Sequence, residues 1–231
     1  MNKQKLIYGI VSMMLCVSEN AFSQRDTITI DSWQFSRSSL NVSDATQQHG
    51  TWKNVIIPHD FQIEQPWVAP SNDEHADNSD QAANVKSRLS ARGFKEMGIG
   101  WYRKVFTPTQ DWNGRRLVLE FGGIMLVGDV YLNGERIGGT EYGYVGFGID
   151  ITDKIKYGSE NVLVVKASKQ KENNSRWYTG GGLFRTVKLI LTDKQLYFAR
   201  HPLYITTNDN NTVNIQAEIF RFSKQKSGNV K

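Results

Sequence analysis

Side chains that could bind a sugar are concentrated in one short segment of the second half of the chain. This segment runs Asn174-Ser175-Arg176-Trp177-Tyr178. Its amide and hydroxyl groups can exchange hydrogen bonds with sugar hydroxyls, and the flat indole of Trp177 can stack on the apolar face of a pyranose ring. Arg176 and Trp177 could instead lock the segment by packing, while the glycines that follow supply turns. We favour packing for these two residues, and for Asn174 both interpretations stay open.

A second candidate for chemistry is the pair His59-Asp60, which follows a short apolar run that ends in Pro58. A histidine beside a carboxylate could act as a general acid and base. The alternative is a turn in which Asp60 caps backbone N–H groups and His59 fills a polar gap. We favour the turn, and the sequence therefore assigns no catalytic residue.

Metal binding is not indicated by the spacing of the potential ligands. Asp73, Asp77 and Asp80 could hold calcium, but they lack the glycine and the terminal glutamate of an EF-hand loop, so a solvated acidic face is favoured. The histidines lack a spacing that would chelate zinc, and the glutamates lack one that would bring two carboxylates together. We predict no metal and no cofactor. These histidines and glutamates are His49, His59, His75, His201, Glu96, Glu120, Glu135, Glu141 and Glu160.

Composition points to a globular β protein that does not bind nucleic acid. The chain has 231 residues, of which 39% are hydrophobic and 20 are glycine, a content that fits a turn-rich β domain with a sizeable core. The formal net charge is +5, but no run of lysine or arginine is longer than two residues. A nucleic-acid surface needs clustered positive charge, so scattered surface lysine is the better interpretation.

The N-terminus has the layout of a secretory signal peptide. Lysines precede an apolar run at residues 6–17, and Ala21-Phe22-Ser23 offers small residues before a cut at Gln24. The apolar run is too short to span a membrane. We predict that residues 1–23 are removed and that the protein is exported, to the periplasm or the outside of the cell, with no membrane contact afterwards. Cys16 is the only cysteine, so the mature chain would contain none.

The strongest local structural pattern is the hairpin predicted around Asn133-Gly134. Both central residues of a type I′ turn need a positive φ, which Asn and Gly tolerate best. In a regular hairpin this turn would place Leu132 opposite Glu135 and Val130 opposite Ile137. The Gly/Tyr-rich return at residues 138–148 is not expected to be a strand throughout. Its Tyr142, Tyr144 and Phe147 could cover the edge of the core or present a binding surface, and we favour the core.

Other short segments with period-2 alternation or β-type composition surround this hairpin and predict an all-β sandwich or jelly roll. A long polar excursion at residues 62–98 interrupts them, with a short helix at 82–89. After Asp193 two or three further strands are predicted, which cannot bury both of their faces alone. The predicted strands outside the hairpin are 27–30, 55–57, 101–106, 115–121, 161–168, 186–191, 196–198, 204–207 and 213–222.

Several motifs occur in an order that resembles a known family. They are Trp52 with Pro58-His59-Asp60-Phe61, Gly100-Trp101-Tyr102-Arg103-Lys104, Phe121-Gly122-Gly123, Asp129-Val130-Tyr131-Leu132-Asn133-Gly134, Asp150-Ile151-Thr152 and Arg176-Trp177-Tyr178-Thr179-Gly180-Gly181-Gly182-Leu183-Phe184-Arg185. Residues 26–193 thereby resemble the N-terminal sugar-binding jelly roll, a galactose-binding-like β-sandwich, of glycoside hydrolase family 2. That family contains β-galactosidases, β-glucuronidases and β-mannosidases. Residues 195–231 resemble the first strands of the immunoglobulin-like sandwich that follows in it.

The resemblance implies a supporting role rather than catalysis. In the family, a (β/α)₈ barrel carries two glutamates that perform retaining hydrolysis through a covalent glycosyl-enzyme. This sequence stops short of the barrel, so no residue here inherits either role. We expect the N-terminal portion of an exported β-galactosidase-like enzyme that supports the barrel and rims its sugar pocket. In the family an aspartate often precedes the tryptophan of the pocket loop, where this chain has Asn174 and Ser175.

Two other functions remain open. One is a free-standing carbohydrate-binding module, whose ligand would be a β-galactoside-like glycan. The other is a scaffold whose strands at 196–222 dock a separately encoded catalytic polypeptide by edge addition. The partner expected for each function is a carbohydrate. The N-terminal portion of a glycosidase would also contact the catalytic barrel, and the scaffold would also contact another polypeptide.

Overall fold

A computed structural model describes residues 25–66, 95–169, 178–208 and 212–221. These residues divide into two compact units, and the division falls between Leu191 and Thr192. The predicted helix at 82–89 and the aspartates at 73, 77 and 80 lie outside the described residues, as does the predicted signal peptide. Among the described residues, no helix is long and apolar enough to cross a membrane.

The unit formed by residues 27–191 is a β-sandwich, which confirms the all-β prediction. One sheet has four strands in the order β1-β10-β5-β8, and the other has six in the order β3-β2-β4-β9-β6-β7. The elements up to the hairpin turn are β1 (Asp26–Thr29), β2 (Ser32–Ser36), α1 (Val42–Thr46), β3 (Lys53–Ile56), β4 (Ile99–Phe106), a 3₁₀ turn (Gln110–Trp112), β5 (Arg115–Phe121) and β6 (Val127–Leu132). The elements after it are β7 (Glu135–Thr140), β8 (Phe147–Asp150), β9 (Asn161–Ser168) and β10 (Val187–Asp193).

The core of this unit lies between the two sheets, because each sheet turns one apolar face inward. In β5, β9 and β10 the inward residues alternate with outward ones, as the period of a pleated strand requires. Their side chains are at most 2% exposed and join the same cluster as the rings of Trp33, Phe35 and Tyr102. The inward residues of these three strands are Leu117, Leu119, Phe121, Leu163, Val165, Ala167, Val187, Leu189 and Leu191.

A short helix covers part of the outer face of the six-stranded sheet. Ala45 of α1 packs with Trp101 and Val164, all of them buried. The helix begins with a capping box in which Asn41 accepts a hydrogen bond from the N–H of Asp44, and the carboxylate of Asp44 accepts one from the N–H of Asn41. This sheet is therefore covered on both sides at β4 and β9.

The predicted hairpin joins β6 and β7, with one correction to its register. Asn133 and Gly134 have φ values of 53° and 87°, as a type I′ turn requires, and Leu132 faces Glu135 as predicted. Val130 faces Gly138 rather than Ile137, because a bulge gives β7 one extra residue. A Cβ at position 138 would lie 2.8 Å from the Cδ1 of Ile149, so the residue that packs against β8 has to be small.

The aromatic residues that follow β7 only partly cover the core. The ring of Phe147 stacks on Phe121 at a centroid distance of 5.1 Å, as expected. Tyr142 and Tyr144, by contrast, are 57% and 44% exposed, so the prediction was wrong for them. β7 ends at Thr140, and both tyrosines lie in the connection that follows it rather than on an inward strand face.

The second unit contains a two-stranded antiparallel sheet formed by β11 (Leu196–Thr207) and β12 (Val213–Arg221). The sequence predicted two separate strands where the structure has β11 alone. The pairing shifts between Phe198 and Leu203, the stretch that contains Pro202. A proline cannot donate to a ladder and is tolerated at such an irregularity, so it interrupts the pairing without ending the strand.

Candidate functional site

The described residues that border the predicted sugar-binding segment form a polar cluster. Lys169 follows the end of β9, and Tyr178 is the next described residue of the chain. Asn174, Ser175, Arg176 and Trp177 lie outside the described residues. The structure therefore defines the last residue of the segment, Tyr178, and the groups that hold it, together with Lys169, which lies five positions before Asn174.

The turn that follows β3 pairs with the glycine-rich segment that follows Tyr178. The N–H of His59 donates to the carbonyl of Leu183 at 2.8 Å, and the N–H of Phe61 donates to the carbonyl of Gly181 at 2.9 Å. On its other side, Gly182 exchanges two backbone hydrogen bonds with Met125, at 2.8 and 2.9 Å. The glycine-rich segment is thus held between two other parts of the chain by main-chain bonds.

The carboxylate of Asp60 is the centre of the cluster, and its predicted capping role is confirmed. Oδ1 accepts hydrogen bonds from the N–H groups of Gly181, at 2.8 Å, and Gln62, at 3.0 Å. Oδ2 accepts one from the hydroxyl of Tyr178, at 2.6 Å. Bonds to an ionised acceptor are stronger than neutral ones. Asp60 therefore fixes the end of the predicted binding segment to the turn.

Tyr178 is the predicted site residue that the structure describes. Burial raises the pKa of its phenol above the ordinary value, and the hydrogen bond to Asp60 raises it further. The phenol consequently stays neutral at physiological pH and keeps donating to the carboxylate. Its donor is occupied by the protein, so only the oxygen lone pairs and the ring remain for a ligand.

Lys169, the residue that follows β9, is also part of the cluster. It is 6% exposed, and its Nζ donates to Gln62 Oε1 at 2.7 Å and to Thr179 Oγ1 at 2.6 Å. Nζ also lies 5.5 Å from the centroid of the Tyr178 ring, within the range of a cation–π contact. Burial lowers the pKa of Lys169 to about 8, against the opposing effect of the Asp60 charge.

His59 fills a polar gap, which confirms the second part of the turn prediction. Its Nδ1 lies 2.8 Å from the hydroxyl of Tyr102, and its Nε2 lies 3.4 Å from a carboxylate oxygen of Glu64. Burial lowers the pKa of His59, and Glu64 opposes that shift. Its side chain is 10% exposed and packs edge-on against Phe35. His59 is therefore a structural residue of the turn and not a solvent-facing acid or base.

Two glycines make the close approach of these segments possible, as the predicted turns require. Gly180 and Gly182 have φ values of 74° and 118°, in the region that favours glycine. A Cβ at Gly182 would lie 2.1 Å from the hydroxyl oxygen of Tyr102, and one at Gly180 would lie 2.7 Å from Oδ2 of Asp60. Any side chain at either position would push the segment away from the turn.

Sequence reasoning missed three members of the cluster, which are Gln62, Lys169 and Thr179. Gln62 follows Asp60 by two positions, the spacing of an Asx turn, and this was a usable local indication. Lys169 and Thr179 carry no such pattern, because a lysine at the end of an apolar strand is usually at the surface. Among the described residues there is no group of three or more His, Cys, Asp or Glu side chains that could hold a metal ion.

Comparison with known proteins identifies the class of this chain. A family model described as the glycosyl hydrolase 2 galactose-binding domain-like family matches residues 95–215. The chain belongs to this family, as the ordered motifs indicated.

Individual relatives agree with that assignment. A β-galactosidase of Bacteroides ovatus is 29% identical over 195 residues, which are 84% of this chain and 21% of that protein. A β-glucuronidase of Formosa agariphila is 28% identical, over 80% of this chain and 18% of its own length. The crystal structure of a β-glycosidase from Bacteroides vulgatus superposes with a TM-score of 0.71 at 26% identity, and covers 87% of this chain and 25% of that one. The chain spans about a fifth of the length of the curated relatives it matches.

The first prediction concerns the buried lysine. The unfolded chain holds a proton at Lys169 up to its ordinary pKa of about 10.4, whereas the folded protein releases it near pH 8. The unfolded state thus binds more protons in this window, and we expect the free energy of unfolding to rise between about pH 8 and 10. Above pH 10 the raised pKa values of Tyr178 and Tyr102 oppose this rise. Urea unfolding at a series of pH values would measure the profile.

The matched variant for this experiment is Lys169→Met, which keeps the length of the side chain and removes the charge. We expect this variant to lose the rise between pH 8 and 10, so that the free energy of unfolding of the wild type minus that of the variant increases across that window. Identical pH profiles for the two proteins would contradict the assignment of the rise to Lys169.

The second prediction concerns the central carboxylate. Asp60→Ala removes the acceptor of three hydrogen bonds and leaves the tyrosine hydroxyl and two backbone donors without this partner. We expect a loss of about 2–4 kcal/mol in the free energy of unfolding, against about 1–2 kcal/mol for Tyr178→Phe, which removes one bond. The exposed Asp111→Ala should change it by less than about 0.5 kcal/mol. Equal effects of Asp60→Ala and Asp111→Ala in denaturant unfolding would show that the cluster carries no stability.

Proposed function

We propose that this chain is the sugar-binding part of an exported β-glycosidase that acts on a β-galactoside-like glycan. Membership of the galactose-binding domain-like family carries this proposal. It is supported by the names of the relatives, which include a β-galactosidase and a β-glucuronidase. In this function the domain supports the catalytic part of the enzyme and contributes to the rim of its sugar pocket.

Catalysis belongs, in this proposal, to a different part of the enzyme. Retaining hydrolysis needs two carboxyl groups about 5–5.5 Å apart on either side of the scissile bond. In the family that the chain resembles, a (β/α)₈ barrel carries this pair. The chain corresponds to about a fifth of its relatives' length, and the proposal assigns the catalytic glutamates to the remainder.

The role proposed for the segment 174–178 divides its residues into ligands and an anchor. Asn174 and Ser175 offer an amide and a hydroxyl to the sugar, whereas the proposal keeps for Arg176 and Trp177 the packing role that the sequence favours. Tyr178 is the anchor, because its hydroxyl donates to the carboxylate of Asp60. The cluster around Asp60 supports this function by holding Tyr178, the last residue of the segment.

The third prediction follows from the assignment of catalysis to a different part of the enzyme. The purified chain should release no more nitrophenol than background from aryl β-galactosides and aryl β-glucuronides, because its residues include no assigned acid or nucleophile. A colorimetric assay with each substrate would measure this. Turnover that a single carboxylate substitution abolishes would overturn the proposal.

Titration calorimetry with galactosides separates this proposal from the free-standing carbohydrate-binding module. If the chain forms only the rim of the sugar pocket, titration of the isolated chain with a galactoside should give no measurable heat, because the rim alone offers few contacts to a monosaccharide. Heat that disappears in Trp177→Ala but persists in Trp112→Ala would favour the binding module instead.

The fourth prediction concerns export, which rests on the charged, apolar and small-residue regions at the N-terminus. Expression in a bacterium with its own secretion system should yield a mature chain that begins at Gln24, as read by N-terminal sequencing. Replacing Ala21 and Ser23 with leucine should block the cut, because the cleaving peptidase requires small residues there. A full-length chain retained in the cytoplasm would contradict the prediction.

A further inference from the structure

The sequence contains two Asn-Gly pairs, and both lie in turns that lead into a strand. Asn113-Gly114 connects the 3₁₀ turn to β5, and Asn133-Gly134 connects β6 to β7. The φ values of the two glycines are 83° and 87°, and a Cβ added to either would meet no atom within 4 Å. The two pairs are therefore alike in sequence and in the φ and steric surroundings of the glycine.

An Asn-Gly pair can modify itself with water as the only other reactant. The backbone nitrogen of the glycine loses its proton and bonds to Cγ of the asparagine, the bond from Cγ to Nδ2 breaks, and ammonia leaves. Water then opens the resulting cyclic imide, either at Cγ to give aspartate or at the main-chain carbonyl to give isoaspartate. Glycine favours the attack because it has no Cβ to hinder the approach of its nitrogen.

The side chain of Asn133 is restrained against this reaction by two hydrogen bonds. Its Nδ2 donates to Oδ1 of Asn161 at 3.0 Å, and its Oδ1 accepts a hydrogen bond from the N–H of Val162 at 3.0 Å. Asn161 is itself fully buried, and its Nδ2 donates to the carbonyl of Lys156 at 2.8 Å. Both polar atoms of the Asn133 carboxamide are thus tied to the start of β9, and the reaction, which expels Nδ2, has to break these bonds.

Asn113 lacks a comparable restraint on its side chain. Asn113 and Gly114 are both exposed, and within the described ranges of the chain the carboxamide of Asn113 makes no hydrogen bond. The backbone N–H of Asn113 donates to the carbonyl of Gln110 at 3.1 Å, so the main chain of the turn is held while the side chain can rotate. Cγ of Asn113 can therefore approach the nitrogen of Gly114 without the loss of a hydrogen bond.

We infer that Asn113 is a site of spontaneous deamidation and that the fold protects Asn133, although both asparagines precede a glycine. Since two hydrogen bonds have to be broken at Asn133, the reaction there should be slower by about tenfold or more. The step is intramolecular, so it depends on the conformation of each turn and not on any further part of the protein. At Asn113 the product replaces a neutral amide by a carboxylate, and an isoaspartate would lengthen the main chain just before β5.

Peptide mapping of the full chain by mass spectrometry tests this inference, because trypsin separates the two sites. Cleavage after lysine and arginine places Asn113 in the peptide 105–115 and Asn133 in the peptide 117–136, and neither peptide contains a second asparagine. The folded protein is incubated in mildly alkaline buffer and sampled over time. We expect the mass increase of deamidation to accumulate in the peptide 105–115 at least about tenfold faster than in the peptide 117–136.

The same incubation in urea is the matched control, because unfolding removes the hydrogen bonds of Asn133 and leaves both Asn-Gly pairs intact. In urea the two peptides should react at similar rates. The variant Asn113→Gln should lose the modification of the peptide 105–115 in the folded protein, since glutamine would have to close a larger ring.

Three results would overturn the inference. The first is a folded protein in which the two peptides react at equal rates or 117–136 reacts faster. The second is a peptide 105–115 that stays unmodified in the folded protein during the time in which it reacts in urea. The third is a difference between the peptides that persists unchanged in urea, because such a difference would come from the neighbouring sequence and not from the hydrogen bonds of the fold.

Discussion

The arrangement of the candidate site depends on the carboxylate of Asp60. One oxygen accepts hydrogen bonds from two backbone N–H groups and the other accepts one from a phenol, so a single half-buried carboxylate joins the turn after β3 to the segment at Tyr178. Charge-assisted bonds of this kind are directional and roughly twice as strong as neutral ones. The buried Lys169, which follows β9, belongs to the same polar cluster through its hydrogen bonds to Gln62 and Thr179.

This cluster is built on a rigid base, because the sandwich core lies directly beneath it. Phe61, the residue after Asp60, is completely buried and stacks against Phe35. Tyr102 projects from β4 and contacts His59 through its hydroxyl. Rigid elements place functional groups more accurately than loops do. Tyr178, the described end of the predicted binding segment, is therefore anchored to a rigid part of the fold.

The two units of the chain differ in how well they bury their own apolar surface. The sandwich of residues 27–191 closes two sheets over a continuous core, in which Leu117 and Leu163 are fully buried. The β11–β12 hairpin leaves residues such as Ile205 and Ile215 exposed on one face. The first unit can therefore be understood as a folded domain, whereas the hairpin exposes its apolar face among the described residues.

Local sequence determined much of this fold, whereas contacts between residues distant in the sequence determined the candidate site. The alternation of Leu117, Leu119 and Phe121 was sufficient to locate β5, and Asn133-Gly134 was sufficient to locate a type I′ turn, because side-chain period and turn dihedrals are local properties. The bulge that moved Val130 opposite Gly138 depends on contact with β8, and local sequence did not indicate it. Asp60 meets Tyr178 across 118 positions, and Lys169 meets Gln62 across 107, so only the folded sandwich could bring these groups together. Hydrogen bonds between such distant residues produce no periodic pattern in the sequence. The turn at Asp60 was therefore predictable from local sequence, whereas its distant hydrogen-bond partners were not.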